Sequence, residues 1–226
     1  MSLFAGDSVS AADRLRWSYM ALFPPVLLWD EDGYRAILTR HIQLVRNAGA
    51  LDRLPIDLAS AGVIAAWSGD FGATAALVAE AKTVCEATGA PGMPFAALLL
   101  AALRGNQAEA VLLIDATIAA AEAEAQGIAV TYAHWAAAVL NNGLGRYDEA
   151  REAARQAVED PAGSFVASWA LPDLIEAAAR SGSMSMAGDA VARLAGTTQA
   201  GRNDWGLGLE ARSRALVSEG QTADGL

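Results

Sequence analysis

The chain has little of what most catalytic and metal sites require. Among its 226 residues there are one lysine, Lys82, one cysteine, Cys85, and two histidines, His41 and His134. A single cysteine excludes an internal disulfide, and no Cys-x-x-Cys or His-Glu-x-x-His motif supplies zinc ligands or a partnered catalytic base. We therefore predict no cofactor and no metal in this chain, no enzymatic activity, and a reducing cytoplasm as its location.

The chain also lacks the positive charge that nucleic-acid binding requires and the long apolar run that a membrane span requires. Its 26 acidic residues exceed its 16 lysines and arginines, and the resulting net charge of −10 disfavours contact with phosphate backbones. The longest apolar run, residues 94–103, is about half of the roughly 20 residues that a spanning helix needs. Acidic residues stand where a signal peptide has a basic region. We predict that this segment binds neither nucleic acid nor membrane.

What the chain does have is a series of apolar segments at helical spacing. They run for roughly 10 to 20 residues between short clusters of Gly, Pro, Asp and Asn, and none alternates as a strand does. This pattern predicts an all-α protein. At the helix ends, Asp52 and Asp70 are predicted to accept hydrogen bonds from free N–H groups. Left-handed residues just past helix ends are predicted at Gly49, Gly89 and Gly196.

Short turns that resemble one another recur along the chain at nearly constant spacing. Their glycines follow one another at intervals of 36, 40, 37 and 38 residues: Gly69, Gly105, Gly145, Gly182 and Gly220. Two residues after the first four stand Phe71, Gln107, Tyr147 and Met184. Five residues after them stand small side chains: Thr74, Ala110, Ala150 and Ala187. The pattern predicts a repeated helix hairpin, because glycine permits a sharp turn and a small residue lets two helices approach closely.

These hairpins predict one domain with a continuous core. A single hairpin cannot bury its own apolar face, so about five pairs are expected to stack into a solenoid over residues 12–218. Residues 1–11 are predicted to be a disordered leader and residues 219–226 a tail. The fifth pair is expected to lack its second helix, which predicts that the chain is a piece of a longer protein and leaves an open end for self-association.

The period and the Gly-x-aromatic-x-x-small signature resemble the tetratricopeptide repeat in a lengthened form. Residues 139–161 ("VLNNGLGRYDEAREAARQAVEDP"), 168–182 and 203–220 are similar to the helical-repeat region of large ATP-binding LuxR-type transcriptional regulators of actinobacteria, and residues 54–71 fit the same region. The resemblance implies an N-terminal ATPase, a long repeat array and a C-terminal helix-turn-helix. This chain has no Gly-x-x-x-x-Gly-Lys-Ser/Thr loop and no basic recognition helix, so ATP and DNA would be bound by other domains.

The resemblance implies a non-catalytic sensor that binds a protein, a peptide or a small effector and relays this to the ATPase and DNA-binding domains. Counting back from Gly145 and Gly182 to the positions that line the concave face of tetratricopeptide arrays selects five candidate binding residues: Tyr132, Trp135, Asn142, Trp169 and Glu176. Mixed aromatic and polar linings suit peptides and small effectors. The alternative is that these residues simply pack, as is expected at the equivalent apolar positions Ile56, Val63, Phe95 and Leu99.

Other interpretations rest on isolated features. The glycines of "GLGR" (residues 143–146) and "WGLGLEA" (residues 205–211) resemble phosphate and dinucleotide loops, but neither follows a predicted strand as such loops do. Cys85 is predicted to be a small buried hydrophobic residue, with redox sensing as the alternative. His134 and most of the six tryptophans are predicted to pack within and between helices. The remaining function classes are a free-standing interaction scaffold, and an enzyme whose site includes Tyr132 and Trp169.

Overall fold

The computed structural model describes residues 11–124, 126–159 and 165–218, and every helix or strand assigned within them is an α-helix, which confirms the all-α class. The helices are α1 (Ala11–Met20), α2 (Phe23–Leu27), α3 (Glu31–Asn47), α4 (Leu54–Trp67), α5 (Phe71–Thr88), α6 (Phe95–Leu103), α7 (Gln107–Glu124), α8 (Gly127–Gly143), α9 (Tyr147–Val158), α10 (Phe165–Trp169), α11 (Leu171–Arg180), α12 (Met184–Gly201) and α13 (Asp204–Val217). The predicted tail and the predicted leader lie outside the described residues, except that Ala11 begins α1.

Four pairs of consecutive helices, α4–α5, α6–α7, α8–α9 and α11–α12, are joined by turns of the same construction. The turn glycines have φ values of 79°, 66°, 70° and 79°, in the left-handed region that favours glycine. At each turn, the residue after the glycine donates its N–H to a carbonyl five residues earlier, as Asp70 does to Ala65 at 2.9 Å. This bond satisfies a carbonyl at the helix end. Gly220 lies outside the described residues.

The small residues that follow the turns are buried. Thr74, Ala110, Ala150 and Ala187 are all fully buried, at 0% exposure. The first helices of successive pairs, α4, α6, α8 and α11, contact one another in order, and α11 contacts α13. Each second helix also contacts the first helix of the next pair. One core therefore runs through all of these helices.

Arginines beside the turn glycines reach the preceding turn. The Arg104 guanidinium lies 6.0 Å from the centre of the Phe71 ring, and that of Arg180 lies 5.4 Å from the centre of the Tyr147 ring. At the turn between them, Arg146 donates to the Gln107 side chain at 3.2 Å. These contacts link residues 33 to 39 positions apart along the edge formed by the turns. The sequence prediction missed them, although all three arginines lie within two residues of a repeat glycine.

Two predictions of helix ends are wrong. Asp52 does not cap α4, because that helix begins after Arg53, with no side-chain cap and a proline in its first turn. Gly196 lies inside α12, which continues to Gly201, and the left-handed residue at its end is Arg202, with φ of 53°. Three predictions are confirmed: Asp70 accepts from the backbone N–H of Ala73 at 2.9 Å, and the φ values of Gly49 and Gly89 are 68° and 72°.

The N-terminal helices α1 and α2 pack beside this core, and the residues after α2 contact its C-terminal helices. α1 packs on α3, and α2 contacts both α3 and α10. The residues that follow α2 reach α12 and α13, more than 160 positions later in the chain. Within the described ranges, no helix has the combination of length and apolar character that a membrane crossing needs.

Candidate functional site

Five of the six tryptophans form one aromatic cluster where several helices meet. This tryptophan cluster consists of Trp29, Trp67, Trp135, Trp169 and Trp205. Trp67 lies at its centre, with ring centroids 5.0, 4.7 and 4.8 Å from those of Trp135, Trp169 and Trp205 in edge-to-face arrangements, a geometry that aromatic pairs favour. Trp17 on α1 is 53% exposed instead. The cluster therefore joins α4, α8, α10 and α13.

The three aromatic residues predicted to line a concave site lie together in or beside this cluster. The Tyr132 ring stacks on that of Phe95, with centroids 4.0 Å apart, and lies 5.9 and 6.5 Å from the rings of Trp135 and Trp169. All three predicted residues are buried, with exposures of 3%, 0% and 3%. Burial raises the pKa of the Tyr132 hydroxyl well above its ordinary value. The structure thus groups these side chains as packed residues, the alternative expected from sequence.

The two polar residues of the predicted site adjoin a carboxylate that the prediction missed. Trp135 Nε1 donates to Asp173 Oδ2 at 2.9 Å, and the Asn142 amide donates to the Asp173 backbone carbonyl at 3.0 Å. Glu176, one turn later on α11, pairs with Arg180 and Arg212. The sequence signal for Asp173 was its place in the first turn of α11, directly after a proline.

Not every buried polar atom of this site has a partner. The Nε1 of Trp169 and the Oδ1 of Asn142 are buried without a hydrogen bond to any described residue. Burial raises the pKa of the Asp173 carboxyl to about 6, although the hydrogen bond from the Trp135 indole acts in the opposite direction. Unpartnered buried groups and a carboxyl that resists ionisation are departures from ordinary core packing.

We expect Asp173→Asn to gain stability relative to the wild-type protein as the pH rises. The folded-state pKa of about 6 exceeds the ordinary value of 3.8, so the stability linked to this group is present below pH 4 and lost as the pH rises through 6. The amide keeps an oxygen for the Trp135 N–H and carries no charge. Between pH 4 and pH 7.5, the difference in unfolding free energy should shift toward the variant by on the order of 2 kcal/mol, measured by urea unfolding.

The control for this experiment is Asp115→Asn on α7, where the wild-type carboxylate is exposed to solvent. Its stability difference from the wild-type protein is subtracted from that of Asp173→Asn at each pH. A difference for Asp173→Asn that is the same at both pH values would show that the carboxylate is not disfavoured by its surroundings.

The segment that consists of α2 and the three residues after it closes the tryptophan cluster from outside. We call residues 23–30 the closing segment. Its Trp29 is 1% exposed, lies 6.1 and 5.5 Å from the ring centres of Trp67 and Trp205, and donates its indole N–H to Thr197 Oγ1 at 3.0 Å. The Asn203 amide donates to the carbonyl of Leu28 at 2.9 Å. Trp29 has φ of 59°, a rare conformation for a bulky residue, and such strain is typical of functional positions.

Two glycines leave the space that the closing segment occupies. A Cβ at Gly201 would collide with the carbonyl oxygen of Leu28, and a Cβ at Gly206 would lie 2.9 Å from the Cβ of Trp29. In the same two helices, added Cβ atoms at Gly188 and Gly208 would meet nothing within 4 Å. Gly206 and Gly208 lie inside α13, so the pattern compared with a dinucleotide loop is part of a helix.

A second polar cluster ties α1 to α3 and α4. The Ser18 hydroxyl lies 3.0 Å from the Leu15 carbonyl and 2.7 Å from His41 Nδ1, and His41 Nε2 lies 3.4 Å from Asp57 Oδ2. His41 and Asp57 are both 2% exposed. Ser18, His41 and Asp57 contact one another in the order serine, histidine, aspartate, as the members of a hydrolytic triad do. Ser18, however, lies inside the regular helix α1. The cluster was missed from sequence because its members are 16 to 39 positions apart.

Cys85 lies in a groove. It is half-buried, so the prediction that it is a small buried hydrophobic residue is wrong. The groove, of about 630 Å³, runs between α5 and α7, with Lys82 and Met93 also in its lining. His134 is half-buried within α8.

The described residues contain no group of three or more His, Cys, Asp or Glu side chains that could hold a metal ion. The candidate site is the tryptophan cluster, together with the polar residues around Asp173 and the closing segment. Comparison with known proteins finds no matching family model, no matching curated protein and no matching solved structure.

Proposed function

We propose that the chain is a non-catalytic helical-repeat module of a LuxR-type, ATP-binding transcriptional regulator, with tetratricopeptide-like hairpins stacked in a right-handed solenoid. Its role is to bind a protein, a peptide or a small effector and to relay this binding to ATPase and DNA-binding domains elsewhere in the protein. The observation that carries the proposal is the shared construction of the four turns. Each has a left-handed glycine, the same backbone hydrogen bond and a fully buried small residue five positions later.

The contacts between successive helix pairs support a relay. The tryptophan cluster joins first helices of several pairs, and arginines link neighbouring turns. A ligand that favours one arrangement of these helices shifts the spacing between the two ends of the array. Its effect is limited by the difference between its affinities for the two arrangements.

The experiment with the greatest weight reads the complete reading frame that contains this chain. We expect a Gly-x-x-x-x-Gly-Lys-Ser/Thr loop on the N-terminal side and a helix-turn-helix on the C-terminal side. A frame without either would favour a free-standing interaction scaffold. In a second test, the purified chain is titrated with ATP and with duplex DNA at physiological salt. Saturable binding of either would contradict the proposal that other domains bind ATP and DNA.

A further inference from the structure

We infer that Trp29 sits in a built binding slot, and that this slot takes a tryptophan-bearing peptide when the closing segment leaves it. The inference rests on the proposed function, because it names the ligand chemistry and the regulation of the same site. We call the surroundings of Trp29 the Trp29 slot. It is formed by Trp67, Thr197, Gly201, Asn203, Trp205 and Gly206.

The slot has the features by which proteins recognise a tryptophan within a peptide. Trp67 and Trp205 form two aromatic walls, and Thr197 Oγ1 accepts the indole N–H at 3.0 Å. Asn203 Nδ2 donates to the carbonyl of the residue before the tryptophan at 2.9 Å. An aromatic anchor in a pocket, together with directional bonds to its polar edge, is the arrangement that dominates binding energy at interfaces.

The shape of the slot fits main chain as well as a ring. At Gly201 and Gly206 the closing segment approaches α12 and α13 so closely that a Cβ would strike it. Close approach of a backbone is a use for which glycine is required. A free indole compound would use the ring site alone, whereas a peptide would also use the contact at Gly201.

The closing segment is held there under backbone strain, and part of it stays exposed to solvent. Trp29 adopts a positive φ in order to place its ring, and Arg202 on the opposite side of the contact also has a positive φ. Leu27 and Leu28 leave 47% and 38% of their surface exposed. The tethered segment has the advantage of a high effective concentration. A competing peptide that fills the slot without backbone strain would bind it more favourably, and this gain would offset that advantage. The segment therefore acts as an intramolecular plug.

The test uses the full chain and a labelled peptide of its own residues 21–32. Wild-type protein should bind this peptide weakly, because the tethered segment competes at an effective concentration in the millimolar range. The Trp29→Ala protein, which lacks the side chain that fills the ring site, should bind it at least about ten-fold more tightly. Adding Gly201→Ala to that protein should abolish binding, because the new Cβ blocks the peptide carbonyl, whereas adding Gly188→Ala on the same helix should not.

Several results would overturn the inference. The first is that the wild-type and Trp29→Ala proteins bind the peptide equally well. The second is that a peptide with alanine in place of its tryptophan binds as tightly as the original peptide. The third is that Gly201→Ala leaves peptide binding unchanged. Binding of N-acetyltryptophanamide as tight as that of the peptide would also overturn it. None of these results bears on the reading-frame test, so failure of the slot is distinguishable from failure of the proposed function.

If Trp29→Ala does not fold, the plug is tested by hydrogen exchange in Gly201→Ala. The amides of Val26, Leu28 and Asp30 are hydrogen-bonded within the closing segment and its flank. Their exchange should be at least about ten-fold faster than in Gly188→Ala, while the amides of α8 keep their protection. Equal exchange in the two variants would overturn the inference.

Discussion

Trp135→Ala is expected to destabilise the protein by about 4 kcal/mol, which is the usual loss for deletion of a large buried ring. The Trp135 side chain is fully buried, and its ring centroid lies within 6 Å of those of Trp67, Tyr132 and Trp169. For a domain of this size, each kcal/mol lowers the melting temperature by about 2–4 °C. Thermal unfolding should therefore shift down by about 10 °C, and the near-ultraviolet circular dichroism of the aromatic cluster should weaken.

Two further variants separate packing from hydrogen bonding at this position. Trp135→Phe keeps a ring but removes the donor to Asp173, so we expect a smaller loss of about 1–3 kcal/mol. This loss should be larger at pH 7.5 than at pH 5, because the stranded carboxyl is charged at the higher pH. Trp17→Ala, which truncates the exposed tryptophan, should change stability by no more than about 0.5 kcal/mol. Equal effects of Trp135→Ala and Trp17→Ala would contradict the central place of Trp135.

The hairpin turns could be predicted from sequence because each depends on residues close together in the chain. A left-handed backbone favours glycine, and close helix contact favours a small residue, so Gly145 and Ala150 identify a turn by residue type alone. The end of α12 was not predictable in this way. Gly196 resembles a helix end, yet the helix continues to Gly201, and the left-handed position is taken by Arg202. The contact between Gly201 and Leu28 is tertiary, and local sequence carries no signal for it.

The candidate site was predictable in part for the same reason. Repeat spacing selected Tyr132, Trp135 and Trp169, and the structure places them together. Repeat spacing could not reveal that the closing segment joins the tryptophan cluster, because that segment lies outside the repeats. Thr197 and Asn203 contact residues 168 and 175 positions away. The recurrent spacing therefore indicated that these aromatic residues converge, whereas their accessibility depends on packing that the spacing does not show.

The buried pair of His41 and Asp57 has the second large expected effect. Asp57 lies in the first turn of α4, where the positive end of the helix dipole favours a carboxylate. The His41 ring faces it from α3, with Ser18 and the Tyr19 ring on the side of α1. Three helices thus meet at one polar cluster inside an apolar region. Removing one member of a buried charged or polar pair is more damaging than removing both.

His41→Leu should lower the free energy of unfolding by about 3 kcal/mol, because it leaves the Asp57 carboxylate facing an apolar side chain. Adding Asp57→Asn should recover at least about half of that loss, so the two substitutions will not be additive in urea unfolding. Gln43→Leu, at an exposed position of the same helix, is the matched control and should change stability by less than about 0.5 kcal/mol. If the double variant is less stable than His41→Leu by the full loss measured for Asp57→Asn alone, the two side chains are independent, and the cluster does not hold α1, α3 and α4 together.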